Sequence, residues 1–155
     1  MLVSNAQYIP EVLSVSEETG KPVRIPLKGF SMNPWLVGGR DYATLTTKIG
    51  EIHVNDVLLS ETSPGMYALH RVLHVDEKRV QLLGDGNLRP DSILPRESIK
   101  ARVVSVYRKG SDKPQYMDDK GYLLYVAIWM KLRPVRRWLL AFYRRIIMPK
   151  RYKTF

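Results

Sequence analysis

The sequence predicts a mainly β protein with helical segments at both ends, and three observations carry that prediction. Between Pro22 and Arg108, short apolar stretches alternate with turn residues. Two of these stretches, 66–75 and 79–83, are separated only by Asp76-Glu77-Lys78, a hairpin spacing. After Lys120 the pattern changes to apolar and basic residues at helical spacing. A length of 155 residues with 45% hydrophobic content suits one domain plus a tail and excludes wholesale disorder.

The elements follow in chain order. Pro10-Glu11, then Val12 and Leu13 with a closing Gly20, predict a short N-terminal helix with proline in its first turn. Strands are expected at 23–27, 42–46, 56–60, 66–75, 79–83 and 101–108, about six in all. They are separated by Gly38-Gly39, Gly50, Ser63-Pro64-Gly65 and the polar run 84–91. Residues 1–109 thus form a β-rich domain, and the polar segment 110–120, with Pro114, reads as a linker. The tail, 121–155, contains an apolar piece, 122–131, and a second helix restarting at Pro134. In that helix Val135, Trp138, Leu139, Phe142 and Ile146 form a stripe opposite Arg136, Arg137, Arg144 and Arg145. Such a helix suits an anionic membrane surface; its stripe could equally pack on the β core or on a partner subunit.

Composition narrows the chemistry. No cysteine is present, so disulfides, thiol nucleophiles and thiolate metal sites are excluded, and three histidines leave little for a metal centre. The formal charge of +10 is uneven. The tail holds nine Lys/Arg and no Asp/Glu, so the first 120 residues carry 16 basic and 15 acidic groups. The tail's cations alternate with large apolar residues instead of forming a polar stripe, so no nucleic acid is expected as a partner. The longest apolar run, 122–130, is nine residues against roughly 20 for a membrane span. No secretory signal opens the sequence, and the expected location is cytoplasmic, peripheral on the inner membrane face.

Three segments carry candidate chemistry. In Gly29-Phe30-Ser31-Met32-Asn33-Pro34-Trp35 a serine follows a strand end and a glycine, although serines beside Gly and Pro commonly just make turns. A serine hydroxyl needs an adjacent base, and His70, inside the apolar 66–75 strand, can serve as one; a half-buried sheet histidine is the plainer reading. The loop after the partner strand holds Asp85 and Asp91, either of which could fix the histidine tautomer, although an Asp-Gly turn is also common. Serine, histidine and aspartate thus occur on neighbouring strands. His74 is expected on the same sheet face as His70 but about 13 Å away by strand rise. His53 is expected in a loop, in solvent. Lys28, Lys48, Lys78 and Lys100 are the alternative bases for a Ser–Lys mechanism, and none of them sits beside Arg71-Val72.

The ordered boxes Ser31-Met32-Asn33-Pro34-Trp35-Leu36, Asp56-Val57, His70-Arg71-Val72 and Gly84-Asp85-Gly86-Asn87 with Asp91 resemble the signal peptidase I superfamily, which includes LexA-like self-cleaving repressors. The resemblance runs from about Gly29 to Arg108. Where bacterial members place lysine, this chain has His70, as in the endoplasmic-reticulum and archaeal type. The resemblance implies a signal-peptidase/LexA-like β-rich core and a serine endopeptidase without a cofactor or metal. Ser31 would be the nucleophile, His70 the base, Asp91 its partner and Asp85 a supporting carboxylate. Gly29, Met32 and Pro34 would contact substrate, with glycine at 29 leaving the oxyanion to backbone N–H groups. Substrate would bind as an added strand and be cut after small residues. The chain departs from the pattern at Arg40, inserted between Gly39 and Asp41, and at Asn55. It also lacks a membrane anchor ahead of Ser31, so the expected substrate is the leader or signal segment of a small exported or modified peptide, presented at the membrane, rather than the housekeeping set of secreted precursors. A catalytically inactive peptide- or membrane-binding module on the same fold is the alternative.

Overall fold

A computed structural model of the protein describes residues 5–148. Eight strands form a curled antiparallel sheet: β1 (Val23–Pro26), β2 (Tyr42–Thr46), β3 (Val57–Ser63), β4 (Met66–Val75), β5 (Arg79–Leu83), β6 (Ile93–Pro95), β7 (Ile99–Tyr107) and β8 (Gln115–Tyr116). Their order is β1-β2-β7-β3-β4-β5-β6, with β8 also paired to β7. Helix α1 (Asn5–Thr19) precedes the sheet, and α2 (Lys120–Lys131) and α3 (Arg136–Phe142) follow it, with a π-helical turn at Tyr143–Ile147.

The mainly β prediction holds, and β2, β4 and β5 have the expected limits. The sheet gains β6 and β8, whose three and two residues are held by pairing to β5 and β7 rather than by an apolar pattern of their own. Helix α1 begins five residues before Pro10, so the proline lies inside the helix rather than in its first turn. Gly20 ends the helix as expected: it adopts φ 66°, and its N–H donates to the Ser16 carbonyl.

Strand β3 explains the architecture. Val57, Leu58, Leu59 and Ser60 are all buried, because the sheet is covered on both faces at its centre. Val57 and Leu59 join Ala43, Leu45, Ala101 and Val103 in a core that also holds Ile9 and Leu13 of α1 and Tyr122 and Val126 of α2. Leu58 points the other way, onto Ile52, Val72, Val80, Leu82 and Ile99. Helix α2 therefore shares the main core with the strands. Segment 110–120 is likewise docked, since β8 pairs with β7 and Gln115 accepts a hydrogen bond from Trp35 Nε1 (3.4 Å).

Strand β4 has two features that matter for the site. Residues 66–71 pair with β3 on one side, whereas pairing to β5 begins only at Arg71. The first half of β4 thus has an open edge toward β5. A bulge between Val72 and His74 then sets Val72 opposite Leu82 and His74 opposite Gln81. The extra residue reverses the alternation, so the expected common face of His70 and His74 is not found.

Candidate active site

Ser31 sits in a tight turn just after β1. Gly29, at φ 80°, and Gly38 let two backbone segments touch: the Gly38 N–H donates to the Gly29 carbonyl (3.1 Å). A Cβ on Gly38 would lie 2.3 Å from that oxygen, so only glycine fits. The Asn33–Pro34 peptide is cis. Beyond it, Trp35 and Leu36 drop into the core and pin the turn.

Asp41 fastens the far end of this turn. It is fully buried and accepts from the Val37 N–H (3.0 Å), from Arg40 Nε (2.7 Å) and Nη2 (2.7 Å), and from Arg108 Nη1 (2.7 Å). Arg108 also donates to the Trp35 carbonyl. The inserted Arg40 is therefore a partner of Asp41. Burial alone would raise the Asp41 carboxyl, but the Arg40 and Val37 hydrogen bonds and the Arg108 charge outweigh it and hold the group below its ordinary 3.8. A depressed folded value adds stability that is complete above the unfolded value and is lost as pH falls through the folded one. The melting temperature should therefore fall with acidification below pH about 4. An Asp41→Asn protein should be less stable at pH 7 and show a shallower acid slope by calorimetry.

His70 lies on β4 and is buried, with its Nδ1 against Asp91 Oδ2. Asp91 reaches it because its N–H donates to the Leu82 carbonyl (2.9 Å), bringing the end of the 84–91 loop back alongside β5. Nδ1 is thus engaged by a carboxylate, and Nε2 is the nitrogen left to exchange a proton.

Asp85 has a different partner. Residues 70 and 71 face opposite sides of β4, and Arg71 pairs across the sheet with Leu83, two residues before Asp85. Arg71 Nε and Nη2 grip the Asp85 carboxylate at 2.8 and 2.6 Å, and Nη1 donates to Tyr122 Oη (2.7 Å) and the Asn55 carbonyl (3.1 Å). Both charged side chains are 1% exposed. Burial would lower the Arg71 guanidinium, yet the Asp85 hydrogen bonds and charge raise it, so Arg71 stays charged. Asp85 therefore supports the site from behind β4, without touching His70. The sequence reading did not single out Arg71; an arginine inside an apolar strand was the available signal, because a buried cation needs a carboxylate.

The 84–87 loop also carries Ser31. The Gly86 N–H donates to the Ser31 carbonyl (2.8 Å), and a Cβ on Gly84 would lie 2.4 Å from that same oxygen. Two side chains from the C-terminal helices hold the loop's back: Trp129 Nε1 donates to the Asp85 carbonyl (3.2 Å) and Arg144 Nη2 to the Gly86 carbonyl (3.1 Å).

A small cavity of about 140 Å³ opens beside Ser31, bordered by Gly29, Met32, Tyr67, Ala68 and Leu69 among others. Pro34 is not among its lining residues and stays in the turn. Ser31 therefore adjoins the open edge of β4 immediately before His70. Among the described residues its hydroxyl makes no hydrogen bond, to His70 or to any other group, and its N–H donates none. Lys28 also borders the cavity but is exposed, not desolvated as a lysine base requires. Lys100 pairs with Glu61 (3.4 Å). His53 is exposed, as expected, and His74 borders a separate cavity with Asp76 and Arg79. No group of three or more metal-ligating side chains is present among the described residues.

Comparison with protein-family models, with curated proteins and with solved structures finds no match to this chain.

Proposed function

We propose that this protein is a serine endopeptidase of the signal-peptidase type, acting on the leader of a peptide precursor in the cytoplasm. Two observations carry the reading: the His70–Asp91 pair, and a serine whose small cavity is bordered by residues 67–69 of the same strand, just before His70, along an open strand edge. An extended substrate would add to residues 66–70 of β4 by main-chain hydrogen bonds, with a small side chain in the cavity beside Met32. Ser31 Oγ would attack the scissile carbonyl carbon as its proton passes to His70 Nε2. Asp91 would stabilise the imidazolium, and the undonated Ser31 N–H would face the oxyanion. His70 would then protonate the leaving amine. A water molecule, losing its proton to the same nitrogen, would hydrolyse the acyl-serine ester and regenerate Ser31.

The absent Ser31–His70 hydrogen bond favours one other reading, a peptide-binding module that performs no chemistry. Catalytic hydrogen bonds often tighten only when substrate is present, so the peptidase reading is preferred. A proteome-derived peptide library separates the two. The peptidase cuts it after small residues and the Ser31→Ala protein does not. Equal products from both proteins would leave the binding module.

A further inference from the structure

We infer that the C-terminal helical unit is a docking face for an anionic lipid bilayer. The inference is independent of the peptidase reading. An amphipathic helix in a globular protein ordinarily buries its apolar stripe and shows its cations to water. Here the cations are mostly exposed but the apolar stripe is exposed as well. Arg136 and Leu140 are buried at 2% exposure each, whereas Trp138, Phe142 and Ile146 of the stripe are 74%, 58% and 64% exposed, with Val135 and Leu139 partly so. The stripe therefore does not pack on the β core, which was one of the three destinations its periodicity allowed.

The helix cannot turn the stripe inward, because its other side is fastened. Arg136 Nη2 donates to the Trp129 carbonyl (3.2 Å), the Arg136 guanidinium lies 5.0 Å from the Trp129 ring centre, and Arg144 donates to Gly86. The apolar face is held outward by the body of the protein.

Charge identifies the occupant. Residues 121–155 contain nine Lys/Arg and no Asp/Glu, and Lys131, Arg133, Arg137, Arg144 and Arg145 are exposed. A second copy meeting this face by two-fold symmetry would bring the same cations against one another. A bilayer with anionic headgroups takes both parts: aromatic and aliphatic side chains enter the interface while the exposed Lys131, Arg133, Arg137 and Arg145 remain at headgroup level. No described helix is long and apolar enough to cross a membrane, so the contact is peripheral. Because Arg144 and Trp129 also brace the loop under Ser31, docking would hold that loop at the lipid surface.

The test is co-sedimentation of the full-length protein with phosphatidylcholine vesicles and with vesicles containing about one third phosphatidylglycerol. Binding to the anionic vesicles should be at least about tenfold tighter and should weaken with salt. A Trp138→Ser/Phe142→Ser protein, altered only at exposed positions, should lose about tenfold or more on the same vesicles. Equal binding to both vesicle types, or unchanged binding by the double variant, overturns the inference. So does concentration-dependent self-association that the double variant abolishes, which would assign the face to a second copy.

Discussion

Replacing Asp91 by asparagine should slow peptide cleavage about 10⁴-fold, with little change in stability. The His70 ring nitrogen that faces Asp91 would meet an amide able to donate to it. The imidazole would then be held in the tautomer whose proton sits on Nε2, where the Ser31 proton must go. Asp91 contributes little to the core, since its side chain is 22% exposed at the end of a loop. Rate and stability should thus separate: steady-state cleavage collapses, while the urea midpoint stays close to that of the unaltered protein. Similar rates for the two proteins would remove Asp91 from the catalytic group.

Asp85→Asn should behave in the opposite way. It leaves the Arg71 cation buried without its carboxylate, a change that costs about 3–5 kcal/mol in comparable buried pairs. Against a typical stability of about 5–15 kcal/mol, that is a large fraction of the whole. Urea unfolding should show it directly. A double replacement, Asp85→Leu with Arg71→Met, removes both charges and should recover much of the loss. Any fall in cleavage by the single variant should track its unfolded fraction. If Asp85→Asn is as stable as the unaltered protein, the Arg71–Asp85 pair does not hold the loop.

The two aspartates show how much of the site the sequence carried. The hairpin of β4 with β5 brought Asp85 and Asp91 to residues 70 and 71 of β4, and Ser31 meets the same loop through the Gly86 N–H. Which carboxylate meets the histidine depended on strand alternation combined with register, because Leu83 opposite Arg71 directs Asp85 to the arginine face. Register across the bulge at residues 72–74 leaves no mark in residue types, and for that reason His74 was expected on the wrong face.

Strands with several alternating apolar residues, such as β2, β4 and β5, were legible with their limits. Strands β6 and β8 were not, since so few residues carry no period and exist through their partners. The tail was legible as two helices with cations opposite an apolar stripe. Periodicity marks two faces without saying which one turns inward. Here Trp129 and Gly86 decided it by engaging the arginines, and the stripe was left outside.

The measurement that tests the central claim most directly is cleavage of the peptide library by the unaltered and Ser31→Ala proteins, compared at equal folded concentration. The account predicts cuts after small side chains, at a rate that falls by at least about 10³-fold when the hydroxyl is removed. Product formation by Ser31→Ala at the rate of the unaltered protein would contradict it, and Ser31 would not be the nucleophile.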